Sequence, residues 1–230
     1  MLSERLRETF GFWWRNLPAI ALVAIPFSLL SSLITLVLGA PLTAQPDETI
    51  SVNGTTLSLI FVVRTLAEAA LIFQLAAILS GKARGLGECA LLALAIAPAM
   101  LLCNIAVLMG SALGLLLFIL PGAWIYIRLS MAPFMVALEK ASPGVALKQS
   151  LLRTRTTQWE MLAGWLVMLL GLLTASAMAG AVLTNLSGSN MAAGILLDLL
   201  TAVAGALLHV FLFRYYGLTR EQTRQQEPNR

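Results

Sequence analysis

Five ionisable side chains, Arg64, Glu68, Arg128, Asp198 and His209, fall inside stretches apolar enough to cross a membrane. A charge at membrane depth is costly, so such a group faces the protein interior or water and marks an ion pair, a ligand site or a proton relay. Arg64 and Glu68 stand four residues apart on one helix face, where they can pair. Arg64 lies about seven residues below the exterior end of its span and Asp198 about six below the exterior end of its own. At similar depth, an Arg64–Asp198 bridge would tie the two spans together. Arg64, Glu68 and Asp198 therefore form a candidate intramembrane polar cluster, read either as a clamp between helices or as part of a path for a solute or lipid. Arg128 is expected to snorkel its guanidinium to the cytoplasmic surface. His209 has no Cys, Asp or Glu at metal-ligand spacing and reads as a core or interfacial histidine.

Pro121-Gly122 is a second candidate feature, a helix break near the middle of a span. Proline removes the amide that would bond the carbonyl of Leu117, and glycine lets another helix approach. Broken helices of this kind line binding sites in transporters, but no paired break occurs elsewhere, and a packing kink is the simpler reading. The chain carries no nucleophile elbow, phosphate loop, zinc motif or pair of catalytic carboxylates. Nothing in it argues for an enzyme, and no catalytic, cofactor-binding or metal-binding residues are assigned.

The elements that must position these residues follow from the hydropathy blocks. With 59% hydrophobic and 11% charged residues in 230, the chain is too apolar for a soluble domain. Spans are expected at about 17–40, 57–80, 87–108, 112–135, 159–184 and 192–216, within a single integral membrane domain over 1–230. From Cys89 to Ile127 there is no charge, and as one helix this run would be close to 60 Å long. It must fold back, and Met109-Gly110-Ser111 is the best turn. Residues 3–15 read as an amphipathic surface helix capped by Ser3, or as the first turns of span one. Ser142-Pro143 reads as the capped start of a short helix with Val145 and Leu152 on one side and Lys148 and Arg155 on another. Acidic Glu4 and Glu8 and the length of the first apolar stretch argue against a cleavable signal peptide. The tail from 219 is polar and is expected to fray. Cys89 and Cys103 stand 14 residues apart on one expected helix, about 21 Å, and cannot pair.

Every Lys and Arg outside the spans, together with Arg214 in the last turn of the sixth, falls on one side of this topology. Arg5, Arg7, Arg15, Lys82, Arg84, Lys140, Lys148, Arg153, Arg155, Arg214, Arg220, Arg224 and Arg230 lie there, whereas the alternate connections 41–56, 109–111 and 185–191 carry none. Basic residues are retained in the cytoplasm during insertion, so both termini are expected there. The net charge of +4 flanks membrane segments rather than forming a run, which points to anionic lipid head groups as partners and not to nucleic acid.

Residues 120–134 (LPGAWIYIRLSMAPF) lead into 142–154 (SPGVALKQSLLRT), with 12–16 (FWWRN) near the start and 212–218 (LFRYYGL) near the end. This pattern resembles the YciC-like family of bacterial inner-membrane proteins over nearly the whole chain, although the first exterior loop is short for that family. The resemblance implies a multi-pass protein of a Gram-negative inner membrane and supplies no catalytic residues. The expectation is an all-α bundle of six transmembrane helices with short amphipathic surface helices. Its role would be that of a non-enzymatic envelope or membrane-organising component. The alternative is a small transporter or lipid-handling protein that uses the Arg64, Glu68 and Asp198 cluster. The sequence names no protein partner.

Overall fold

The computed structural model describes residues 2–44, 50–187 and 190–226. In chain order the elements are α1 (Leu2–Arg15), α2 (Leu17–Leu38), β1 (Leu42–Ala44), β2 (Ile50–Val52), α3 (Gly54–Leu79), α4 (Leu86–Ala95) and α5 (Ala97–Leu117). They continue with α6 (Ile119–Leu129), α7 (Ala132–Glu139), α8 (Pro143–Arg153), α9 (Gln158–Ser187) and α10 (Met191–Gln226). Six stretches are long and apolar enough to span a bilayer: α2, α3, α5, the α6–α7 pair, α9 and α10. The architecture is the expected all-α membrane bundle, because in lipid a helix satisfies its own backbone polar groups.

Within the connection between α2 and α3 the chain forms a small antiparallel ribbon, with Leu42 opposite Val52 and Ala44 opposite Ile50. Asp47 and Glu48 lie outside the described residues. Asn53 ties the two flanking helices together. Its Oδ1 accepts from the Thr56 amide at 3.2 Å and caps α3, while its Nδ2 donates to the Leu38 carbonyl at the end of α2 at 2.8 Å.

The expected boundary between the third and fourth spans needs correction. Met109, Gly110 and Ser111 are all helical within α5, and the chain reverses at Phe118, whose backbone is extended. Pro121 and Gly122 therefore lie in the first turn of α6 and do not break the middle of a span. A proline in a first turn loses little, since those amides have no partner inside the helix. The glycines serve close approach: a Cβ on Gly114 would stand 2.8 Å from Gly122 Cα, and one on Gly122 would stand 2.5 Å from Leu115 Cγ. Cys89 and Cys103 also belong to different helices, α4 and α5, separated by a break at Ile96, and both are buried free thiols.

The two surface helices are tied to the bundle. Helix α1 begins at Leu2, so Ser3 lies inside its first turn. Leu6, Phe12 and Trp13 pack against the core, and Trp13 Nε1 donates to the Val203 carbonyl of α10 at 3.1 Å. Arg214 of α10 reaches Glu8 at 2.6 Å, and Arg5 sits over the Tyr215 ring and 3.4 Å from Glu160 of α9. Phe10 and Trp14 stay exposed. Pro143 opens α8 as expected, but the Ser142 hydroxyl makes no capping bond; its carbonyl accepts the Ala146 amide instead. Helix α8 buries Ala146 and Ser150, and turns Val145 and Leu152 outward. The tail is helical to Gln226, not frayed from 219, while Arg230 lies outside the described residues.

Helix α7 is the centre of the core. Ala132 through Ala137 are all buried, and Phe134 stacks on Tyr216 with centroids 5.6 Å apart. At its end, Glu139 accepts two bonds from Arg153 of α8, at 2.7 and 3.1 Å, and one from the Tyr216 hydroxyl of α10 at 2.8 Å. A second polar knot is made by Gln74, which is fully buried. Its Nε2 donates to the Ala19 carbonyl of α2, and its Oε1 accepts from the Arg84 amide and the Cys89 thiol.

Candidate functional site

The middle of the bundle holds a polar cluster contributed by three spans. Glu68 lies 14 residues into α3, about 21 Å along its axis, and so near the middle of that 26-residue helix. Asn104 of α5 donates through Nδ2 to Glu68 Oε2 at 2.7 Å and stands 3.4 Å from the Thr65 hydroxyl. His209 of α10 places Nε2 3.9 Å from Glu68 Oε1, beyond hydrogen-bond distance but within ion-pair range. Its other nitrogen, Nδ1, is buried and has no hydrogen-bond partner among the described residues. The side chains of His209 and Glu68 remain 32% and 22% exposed, so the cluster is open on one side and not sealed within the core.

The arrangement corrects the expected grouping. Arg64 forms no ion pair among the described residues, with Asp198 or with Glu68, and its side chain is exposed. Asp198 is held instead by α2: its carboxylate accepts from the Ser32 hydroxyl at 3.0 Å and its carbonyl from Ser28 at 3.3 Å. The reason is rotational. Residue depth was legible from span ends, but α2 takes the face of α10 that carries Asp198. Glu68, from the same expected cluster, does sit at the centre of a site, with His209 and Asn104 as its partners.

Arg64 stands one helical turn from Glu68 toward the β-ribbon end of the bundle. It lies ten residues from the start of α3, about 15 Å along the axis. Helical side chains lean toward the N-terminus of their helix, so Arg64 leans toward the ribbon end and away from the bundle centre. The planar guanidinium fork has the geometry to bind a carboxylate or phosphate in bidentate fashion.

Arg128 points toward α8, in the direction expected for snorkelling, and is held by protein groups there. Its guanidinium lies over the Trp124 ring, 5.2 Å from the centroid, and donates to the Leu151 carbonyl at 2.5 Å near the end of α8. The backbone carbonyl of Arg128 in turn accepts from the Ser150 hydroxyl at 2.7 Å. This residue joins α6 to α8 and takes no part in the cluster. Pro121 and Gly122 open α6 and pack closely against Gly114 and Leu115 of α5.

Asn104 was missed from sequence because it carries no charge. The available signal was a lone amide in a span otherwise free of strong polar groups, where such a side chain seeks an interhelical partner. Among the described residues, no three His, Cys, Asp or Glu side chains are placed to share a metal ion. Searches against protein-family models, curated proteins and solved structures found no match to the chain.

Proposed function

We propose that this multi-pass membrane protein is non-enzymatic and handles an anionic amphiphile, a lipid with a phosphate-bearing head group, received by Arg64. The observation that carries this reading is an exposed arginine inside a span, without a carboxylate partner among the described residues, one turn from a polar cluster built by three helices. An arginine at the centre of a membrane helix costs roughly 2.5–3.5 kcal/mol on insertion scales. A phosphate or water at that position offsets the cost, and the apolar faces of the spans accommodate acyl chains. The resemblance to the YciC-like family supports placing the protein in a bacterial inner membrane. The distribution of Lys and Arg supports cytoplasmic termini, with Arg64 leaning toward the exterior leaflet. Native mass spectrometry of the detergent-extracted protein tests the reading. Wild type retains an anionic phospholipid and Arg64→Ala loses it, while Arg128→Ala keeps it; equal lipid in all three would refute the assignment.

A membrane-organising role is the second reading, favoured by the exposed Phe10 and Trp14 on α1, which stack with centroids 6.2 Å apart. Aromatic rings on a basic amphipathic helix suit a membrane surface. Under that reading the lipid bound by the purified protein is indifferent to Arg64.

A further inference from the structure

We propose that Glu68 and His209 form a proton-binding switch that decides whether Arg64 is free to hold its anion. This inference rests on the lipid-handling reading and adds its regulation. Glu68 has two sets of partners within reach. In the structure it is held on one side by Asn104 at 2.7 Å and His209 at 3.9 Å, and Arg64 has no ion-pair partner among the described residues. Arg64 is also four residues N-terminal to Glu68 on the same helix, a spacing at which the two side chains can meet.

One proton taken from water by the Glu68 carboxylate, beside a neutral His209, makes that pair neutral overall, and Arg64 then carries the uncompensated charge of this cluster. An anion entering beside Arg64 compensates it. When the proton leaves, Glu68 keeps its negative charge with a neutral His209 beside it. Arg64 then swings one turn to pair with Glu68 and releases the anion. No bond other than the proton's own is made or broken, so one proton and one negative charge enter and leave together.

His209 has a tautomer suited to this role. With Nδ1 buried and without an acceptor, the neutral ring places its hydrogen on Nε2, toward Glu68. The surrounding elements leave the pair as the natural proton site. Helix α2 has no ionisable side chain. Asp198 of α10 is engaged by Ser32, Arg214 by Glu8, Glu139 of α7 by Arg153 and Tyr216, Glu160 of α9 by Arg5, and Arg128 of α6 by Leu151. The other titratable groups close enough to feel the charge of Glu68 are the Cys103 thiol of α5 and the Tyr126 phenol of α6.

The test is binding of fluorescent phosphatidylglycerol to the full chain in phosphatidylcholine nanodiscs, with inorganic phosphate as competitor. Wild type should bind about tenfold more tightly at about pH 5 than at about pH 8, a coupling within the usual allosteric range. Glu68→Gln, which mimics the protonated carboxyl, should bind at both pH values as tightly as wild type does in acid. Arg64→Lys keeps the charge and should retain the pH dependence. Affinity independent of pH in wild type, with Arg64→Ala still abolishing binding, overturns the switch and leaves lipid handling standing. Wild-type affinity in Arg64→Ala overturns both. Inorganic phosphate should fail to displace the lipid; displacement at equal concentration would overturn the lipid as ligand in favour of a free anion.

Discussion

Glu139→Ala should lower the stability of the protein by about 2–4 kcal/mol. Glu139 closes the central helix α7 against both α8 and α10. Its carboxylate accepts two bonds from Arg153 and one from Tyr216, and the side chains of Arg153 and Glu139 are only 17% and 20% exposed. Removing the carboxylate leaves the Tyr216 phenol without its acceptor and the Arg153 guanidinium with only the long bond to Gln149 at 3.4 Å, in a poorly hydrated place, which is costlier than never having built the pair. Replacing both Glu139 and Arg153 with leucine should recover part of the loss, because no orphan charge remains. Thermal unfolding of the detergent-purified variants measures this. A single variant that melts with wild type, or a double variant that melts as low as the sum of the singles, contradicts the clamp.

Gln74→Leu should cost about 2–4 kcal/mol, for a different reason. Leucine fits the apolar surroundings and the volume is nearly kept, so packing changes little. The loss is of hydrogen bonds. The Ala19 carbonyl of α2, the Arg84 amide in the connection after α3 and the Cys89 thiol of α4 all lose a partner that is itself fully buried. The unfolding midpoint should fall, and hydrogen exchange should accelerate at the Arg84 amide specifically. Unchanged exchange there would show that Gln74 does not hold the connection.

The span count, and the placement of basic residues on alternate connections, were legible because hydrophobic blocks and flanking charges are properties of the sequence itself. The α5–α6 reversal was not, because the uncharged run between Cys89 and Ile127 offers no polar punctuation. Gly110 looked like a turn residue, yet it lies within α5, where a Cβ would meet Leu129 Cδ1 at 3.0 Å. Pro121 was the better signal. A proline is tolerated in a first turn, which would have put the reversal just before it, at Phe118. Proline marks other helix starts as well: Pro133 in the first turn of buried α7 and Pro143 at the start of α8.

For the site, the sequence identified Glu68 and His209 as charges at depth but could not pair them. Which face of α10 meets α3 and which meets α2 depends on how the helices rotate against one another, and periodicity within one helix does not encode that. Asp198 shows the point. Its depth matched that of Arg64, yet its face belongs to Ser28 and Ser32 of α2.

The central claim is that Arg64 faces an aqueous or head-group environment and not acyl chains. Thiol reactivity tests it directly, because a thiol must ionise to react and does not ionise in hydrocarbon. With the buried Cys89 and Cys103 replaced by alanine, cysteine would be placed either at Arg64 or at Val62. Val62 is 37% exposed and lies on roughly the opposite face of α3 at about 100° per residue. A membrane-impermeant charged thiol reagent should label Arg64→Cys and leave Val62→Cys unmodified. Equal inertness at both positions would place Arg64 against lipid tails and contradict the account.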